Sequence, residues 1–182
     1  MCRDCVIAEE VPDLYRVIPL DVLRRTPQVS FDAVPAAIFS AATAMDRVLH
    51  EPGAISPGPV GDVARPWYMH PCQDDNLIVL HGARHIDIYT PVHGKVESFV
   101  VTPNMIAKGG KTIYDGAAML VWPRGVFHRI KSDEKEGSAS LNFAVHHEGF
   151  DLRTNFNVYD LDTDSCGYTV IRAGHLDQPG VA

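Results

Sequence analysis

From Trp67 onward, glycine or proline interrupts the chain about every eight to twelve residues, and the pieces between are short and apolar. That cadence is too tight for helices of ordinary length. It demands short strands joined by turns, which bury a core as a sandwich or a barrel. The strands fall at 76–81, 84–90, 95–102, 111–114, 118–122, 126–131, 138–147 and 154–159. The polar run Ser132–Gly137 reads as a hairpin loop between two of them.

The preceding region reads differently. Residues 33–50 carry Ile38, Ala42, Met45 and Leu49 at helical spacing, with Asp32 as N-cap, Pro35 in the first turn and Pro52-Gly53 as the stop. Leu14 to Leu23 reads as a short strand or turn packing on the main domain, and 51–66 as a Pro/Gly-rich loop leading into it. The 182 residues then divide into an N-terminal extension with one helix (1–64), a barrel (65–160) and a tail packed on the barrel (161–182).

A net charge of −7 argues against nucleic acid and anionic membranes as partners. No run of eighteen apolar residues is present. The N-terminus lacks a secretory apolar core, so a cytoplasmic location is expected. Cys2 and Cys5 form a Cys-x-x-Cys pair with no second pair to complete a zinc site, and read as two thiols at a frayed end rather than a redox centre.

The stretch Gly116 to His128 is the most specific. Gly116 permits a bend, Met119 to Trp122 is a buried strand, Pro123 and Gly125 shape a second rigid turn, and His128 opens the next strand. Such stiff delivery of one imidazole suits a metal site. Gly116, Pro123, Gly125 and His128 resemble the second motif of the cupin superfamily, with six residues between Gly116 and Pro123 where the family commonly has five. Ser132 stands where the family often has Asn.

The first cupin motif, His-x-His followed by Glu and a strand ending in Gly, has its counterpart in His70 to Gly82. Counting back from Gly82 puts Asp75 at the glutamate position. His70 serves as the first histidine with Cys72 in place of the second, or as the second with Tyr68 in place of the first. The resemblance covers residues 65–148 and implies an all-β, cupin-type jelly-roll barrel. It also implies a divalent metal held by His70, Asp75 and His128, with Cys72 as a further candidate ligand. Two imidazoles and a carboxylate favour Fe(II); Mn and Ni also suit, and a Cys72 thiolate would shift the preference to Zn.

Other polar residues are candidates for acid, base or donor roles. His85, Asp87 and Tyr89 share a strand face by period two. Either His146 or His147 faces inward if its strand continues, and His81 has the parity of Asp75. Asp74 competes with Asp75 as the carboxylate. Asp160, Asp162 and Asp164 alternate like a calcium loop but lack its glycine and its final glutamate, and read as a solvated loop.

The expectation is a metal-dependent cupin acting on a small molecule, with a dioxygenase preferred on ligand type alone. The alternative is a barrel that binds or senses a small ligand without turnover. Family resemblance adds a homodimer in which the N-terminal segment takes part.

Overall fold

The computed structural model describes residues 6–178; Cys2 and Cys5 lie outside them. The chain begins with β1 (Glu9–Val11), β2 (Tyr15–Pro19), β3 (Asp21–Thr26) and β4 (Val29–Ala33). A short helix, α1 (Ala36–Ala41), leads to β5 (Ala44–His50), β6 (Ile55–Ser56) and β7 (Trp67–Met69). Then come β8 (Gln73–Gly82), β9 (Arg84–Tyr89), β10 (Glu97–Thr102), β11 (Met105–Lys108) and β12 (Lys111–Asp115). The chain continues with β13 (Ala118–Trp122), β14 (Phe127–Ser132), β15 (Ser138–His146), a second short helix, α2 (Leu152–Asn155), β16 (Val158–Leu161) and β17 (Tyr168–Arg172).

Two antiparallel sheets form the body. One has the order β1-β2-β13-β8-β15-β5; the other runs β12-β11-β10-β9-β14-β7-β16-β17, with β6 also paired to β14. The β3-β4 hairpin stands apart as a third sheet. This is a jelly-roll barrel of the cupin type, and the all-β expectation holds.

β1 and β2 extend one side of the six-stranded sheet and β5 closes its other edge. The helix expected over 33–50 is confined to Ala36–Ala41. From Ala44 the chain pairs with β15 over seven residues, Ala44↔Ala144 to His50↔Ser138. The sequence from Ala44 to His50 satisfies a period of two as well as one of 3.6, and the strand partner decides. Met45, Arg47 and Leu49 face solvent while Asp46, Val48 and His50 turn inward. The strand expected over 154–159 likewise begins at Val158, after α2.

The interior is filled from both sheets by Leu77, Val79, Ile86, Ile88, Phe99, Val101 and Leu120, with Tyr15 and Val17 from β2. A second apolar cluster built on Ile18, Ile78, Met119, Val121 and Phe143 packs with Ile38 and Ala42 of the α1 segment. A third joins Trp67, Tyr89, Phe127, Tyr159 and Leu161. On β10 the buried residues Phe99 and Val101 share one parity, which fixes the register of that strand.

One end of the barrel depends on two glycines. Gly82 and Gly137 both take φ of +66°, and a Cβ on Gly82 would collide with the Gly137 carbonyl oxygen. Gly82↔Ser138 is the last pair of the β8–β15 ladder, so this close backbone approach sets where the two strands end. Gly82→Ala is expected to destabilise the fold by about 2–3 kcal/mol, through left-handed strain and the backbone clash. Urea unfolding checks this; a loss under about 0.5 kcal/mol would show that the turn relaxes freely.

Candidate functional site

Strands from both sheets bring polar side chains into one cavity of about 240 Å³. Period two along β8 points Gln73, Asp75 and Leu77 into it. β14 contributes His128 and Ile130, β15 contributes Asn142, and β5 contributes Asp46, Val48 and His50. Tyr68 of β7 sits opposite His128 in the β7–β14 ladder, and His70 follows directly. Trp122 pairs with Asp75 across β13 and β8.

His70, Asp75 and His128 are all buried, and a potential ligand atom from each lies within 4.8 Å of the others. His70 Nδ1 donates to the Asn155 carbonyl at 2.6 Å, and His128 Nδ1 donates to the Val126 carbonyl at 3.3 Å. A carbonyl can only accept, so each Nδ1 carries a proton, which leaves Nε2 as the basic nitrogen of each ring. The His70 and His128 ring centroids are 4.8 Å apart. Burial pushes the His128 imidazole down to about 4, with His70 adding to the shift and Asp75 opposing it. At neutral pH it is an uncharged base.

The carboxyl of Asp75 is held on one side only. Its Oδ1 accepts from Gln73 Nε2 at 2.8 Å and from Asn142 Nδ2 at 2.6 Å. Its Oδ2 is buried without a hydrogen-bond partner and lies 3.6 Å from His70 Nε2. Gln73 Oε1 in turn accepts from Asn155 Nδ2 at 3.0 Å, and the Asn155 carbonyl holds His70. The chain of contacts runs from Asp75 through Gln73 and Asn155 to His70. Tyr68 completes the wall, its ring 6.0 Å from that of His128, and burial pushes its phenol up, against a hydrogen bond with Ser56.

Several expected residues lie elsewhere. Cys72 is half-buried and outside the cluster of potential ligand atoms; it has the parity of Asp74, opposite to that of Gln73 and Asp75, and its Sγ lies near Gly149. His85, Asp87 and Tyr89 do share a face of β9, but Arg84, Ile86 and Ile88 hold the interior face. His85 is exposed, Asp87 pairs with Arg129 at 2.9 Å, and Tyr89 is locked in the third apolar cluster near Cys166 and the Thr163 carbonyl. His146 stacks on Phe150 with centroids 3.7 Å apart, away from the cavity lining. His147 Nε2 lies 3.0 Å from Asp74 Oδ2, which removes Asp74 from the carboxylate role. A register shift between Ala139 and Ser140 breaks the parity that linked His81 to Asp75, and His81 is exposed.

Gln73, Asn142, Asn155, His50 and Arg84 were not expected. Two of them carried a signal: Gln73 shares parity with Asp75, and Asn142 is a polar residue within an apolar strand. Arg84 is 1% exposed. Its Nε donates to Ser138 Oγ at 3.1 Å and its Nη2 to the Val48 carbonyl at 3.3 Å. Burial pulls its guanidinium down to about 10, which leaves it a cation at neutral pH. Burial, with help from the Arg84 charge, pushes His50 down to about 4.

Among the described residues, the donor set of His70, Asp75 and His128 fits a divalent ion: two Nε2 lone pairs and one free carboxyl oxygen converge. The same atoms equally suit proton transfer, since all three can accept a proton.

A jelly-roll barrel with a buried polar cavity defines the class of protein. No protein-family model and no curated protein matches the chain. Solved structures do match in fold. One is a variant of a 3,4-ketoisomerase from Thermoanaerobacterium thermosaccharolyticum in complex with TDP-4-keto-6-deoxyglucose, at 14% identity and TM-score 0.53 over 78% of this chain and 85% of that one. A second is a dTDP sugar isomerase from Desulfovibrio desulfuricans, at 13% identity and TM-score 0.54 over 80% and 85%. A third is a 4-keto-6-deoxy sugar epimerase from the novobiocin gene cluster of Streptomyces spheroides, at 10% identity and TM-score 0.56 over 83% and 72%. The metal-dependent dioxygenase expectation, which rested on ligand type alone, is corrected by these matches: they are sugar isomerases and epimerases. Among the described residues no helix is long and apolar enough to cross a membrane.

The two depressed imidazoles have a consequence for stability. A histidine held at about 4 when folded, and near 6.5 when unfolded, stabilises the fold above about pH 6.5 and loses that contribution as pH falls toward 4. For His128 the loss amounts to about 2 kcal/mol at pH 5, at 1.36 kcal/mol per pH unit. Urea titrations at about pH 7.5 and pH 5 are expected to show this drop, and His128→Asn to reduce it. An equal drop in both proteins would assign it to other groups.

Proposed function

We propose that the chain is an isomerase or epimerase that moves a proton beside the carbonyl group of a small hydroxylated compound. The supporting observation is the pair of buried imidazoles, each with Nδ1 pinned to a carbonyl and Nε2 bare beside the unpaired Asp75 oxygen. The fold neighbours are named for this reaction class.

His128 Nε2 accepts a proton from the carbon next to the substrate carbonyl. The C–H electron pair becomes a carbon–carbon double bond, and the carbonyl π pair moves to oxygen. Tyr68, whose phenol burial keeps protonated, donates a hydrogen bond to that oxygen. His128 then returns its proton to the former carbonyl carbon, while the hydroxyl on the first carbon passes its own through His70 Nε2 to the enolate oxygen, or solvent delivers a proton to the opposite face of the first carbon. The first outcome shifts the carbonyl; the second inverts a centre. In the second, His128 regains its starting state by proton exchange with solvent. An uncharged imidazole at His128 suits this work, since it acts without first shedding a proton.

Proton NMR in D₂O tests the proposal. TDP-4-keto-6-deoxyglucose, 2-oxo acids and small hydroxyketones are incubated with the protein, and loss of the signal beside the carbonyl is followed. At least one compound is expected to exchange. His128→Gln is expected to slow it about a hundredfold or more, and EDTA to leave it unchanged. No exchange with any compound would leave a barrel that binds without turnover. Loss of exchange on chelation would assign the three donor atoms to a metal instead.

A further inference from the structure

The cavity has a second polar end that the proton-transfer chemistry does not use. In the β9–β14 ladder His128 pairs with Ile88 and Arg84 pairs with Ser132, four residues further along. At about 3.3 Å per residue the two backbone positions are about 13 Å apart. Leu77, Val48 and Ile130 line the space between. His50, paired with Ser138, joins Arg84 at this end.

Arg84 is a buried cation without a counterion. Among the described residues it forms no ion pair, and its two hydrogen bonds go to a hydroxyl and a carbonyl, both neutral. Its Nη1 has no hydrogen-bond partner there. Asp46, the cavity carboxylate on the same strand as Val48, instead lies 3.4 Å from Asn142 Nδ2, and Asp75 is held by Gln73 and Asn142. Burying a guanidinium without a charge partner is unfavourable, and an anion presented to the fork of donors would offset that cost. His50 Nδ1 is buried without a partner and lines the same space. At about 240 Å³ the cavity falls below the range usual for drug-sized ligands, so it suits a compound of a few carbons.

We infer that Arg84 and His50 form an anion subsite that takes the carboxylate or phosphate of a small carbonyl substrate, while the carbonyl end faces His70 and His128. This rests on the proton-transfer reading for the role of the other end. A carboxylate and a phosphate monoester offer the same oxygen pair to the guanidinium, and the ligands tested separate them.

Titration calorimetry would compare wild type, Arg84→Met and Arg84→Lys against pyruvate, dihydroxyacetone phosphate, neutral dihydroxyacetone and TDP. Wild type is expected to bind pyruvate or dihydroxyacetone phosphate at least tenfold more tightly than dihydroxyacetone. Arg84→Met is expected to lose that preference, and Arg84→Lys to keep part of it. The Arg84 guanidinium nitrogen resonances of wild type, which need no stable variant, are expected to shift on adding the preferred anion. Equal affinity for the neutral compound, an anion affinity untouched in Arg84→Met, an unmoved Arg84 resonance, or TDP as the sole ligand would overturn the subsite. The D₂O exchange assay keeps the two proposals apart. Anion binding at Arg84 without exchange would sink the isomerase reading alone, and exchange without an anion preference would sink the subsite alone.

Discussion

The geometry of the cavity depends on how the Asp75 carboxyl is shared. Two amide donors, from Gln73 and Asn142, take the same oxygen and leave the other bare toward His70. Gln73 is tied to Asn155, whose carbonyl fixes the His70 tautomer. Residues from β8, β15, α2 and the segment after β7 therefore converge on one loop of contacts. Their order matters more than their number. Amides are unchanged by pH, so they hold the carboxyl and the imidazole in place whatever the charge on those groups. A site held together by its own titrating groups would loosen each time it reacted.

The strands supply the precision that this loop needs. Gln73, Asp75 and Leu77 follow one another inward on β8, and the ladders on either side place Trp122 and Asn142 beside them. The cavity is consequently layered. Imidazoles and the carboxyl occupy one level, Leu77 and Ile130 the next, and Arg84 with His50 the far one. Rigid strands can keep such levels apart where loops would let them drift. The short α2 is the exception among the regular elements. It enters only through a buried Asn155, whose side chain and carbonyl both serve the site.

Much of the fold was legible because turns are local. Strands β8, β9, β12, β13, β14 and β15 lie close to where glycine and proline spacing placed them. The segment from Ala44 to His50 misled because its apolar residues fit two periods, and only pairing with β15 chooses between them. The site was legible in part for a related reason. His70, Asp75 and His128 stand at motif positions, and the structure brings them together. His85 and Tyr89 share the face that alternation assigned to them, but alternation cannot say which face looks inward. His81 shows the remaining limit: a bulge one pair away inverts parity, and nothing in the composition of β8 announces it. Arg84 gives no signal in the sequence, because an arginine at a strand start ordinarily reads as solvated and its burial is a property of the closed barrel.

The distribution of unpaired polar atoms links stability to function here. Asp75 Oδ2, His50 Nδ1 and Trp122 Nε1 are buried without partners, and all three residues line the one cavity. Each such atom costs about 1–3 kcal/mol relative to a satisfied one. A fold bearing that cost for packing alone could replace these residues with apolar ones of similar size and gain stability. Placing these three around a single space, on paired strands, turns their share of that cost into binding capacity. A ligand that satisfies them recovers the desolvation already incurred during folding. The groups are also of different kinds: bare imidazole nitrogens and a carboxyl oxygen accept, whereas the indole and the guanidinium only donate. The indole donates beside the acceptors of the imidazole end, and Arg84 donates at the far end, so a molecule that suits them all carries donors and acceptors together at one end and an acceptor at the other. That arrangement, set by strand register, gives a bound molecule one direction in the cavity.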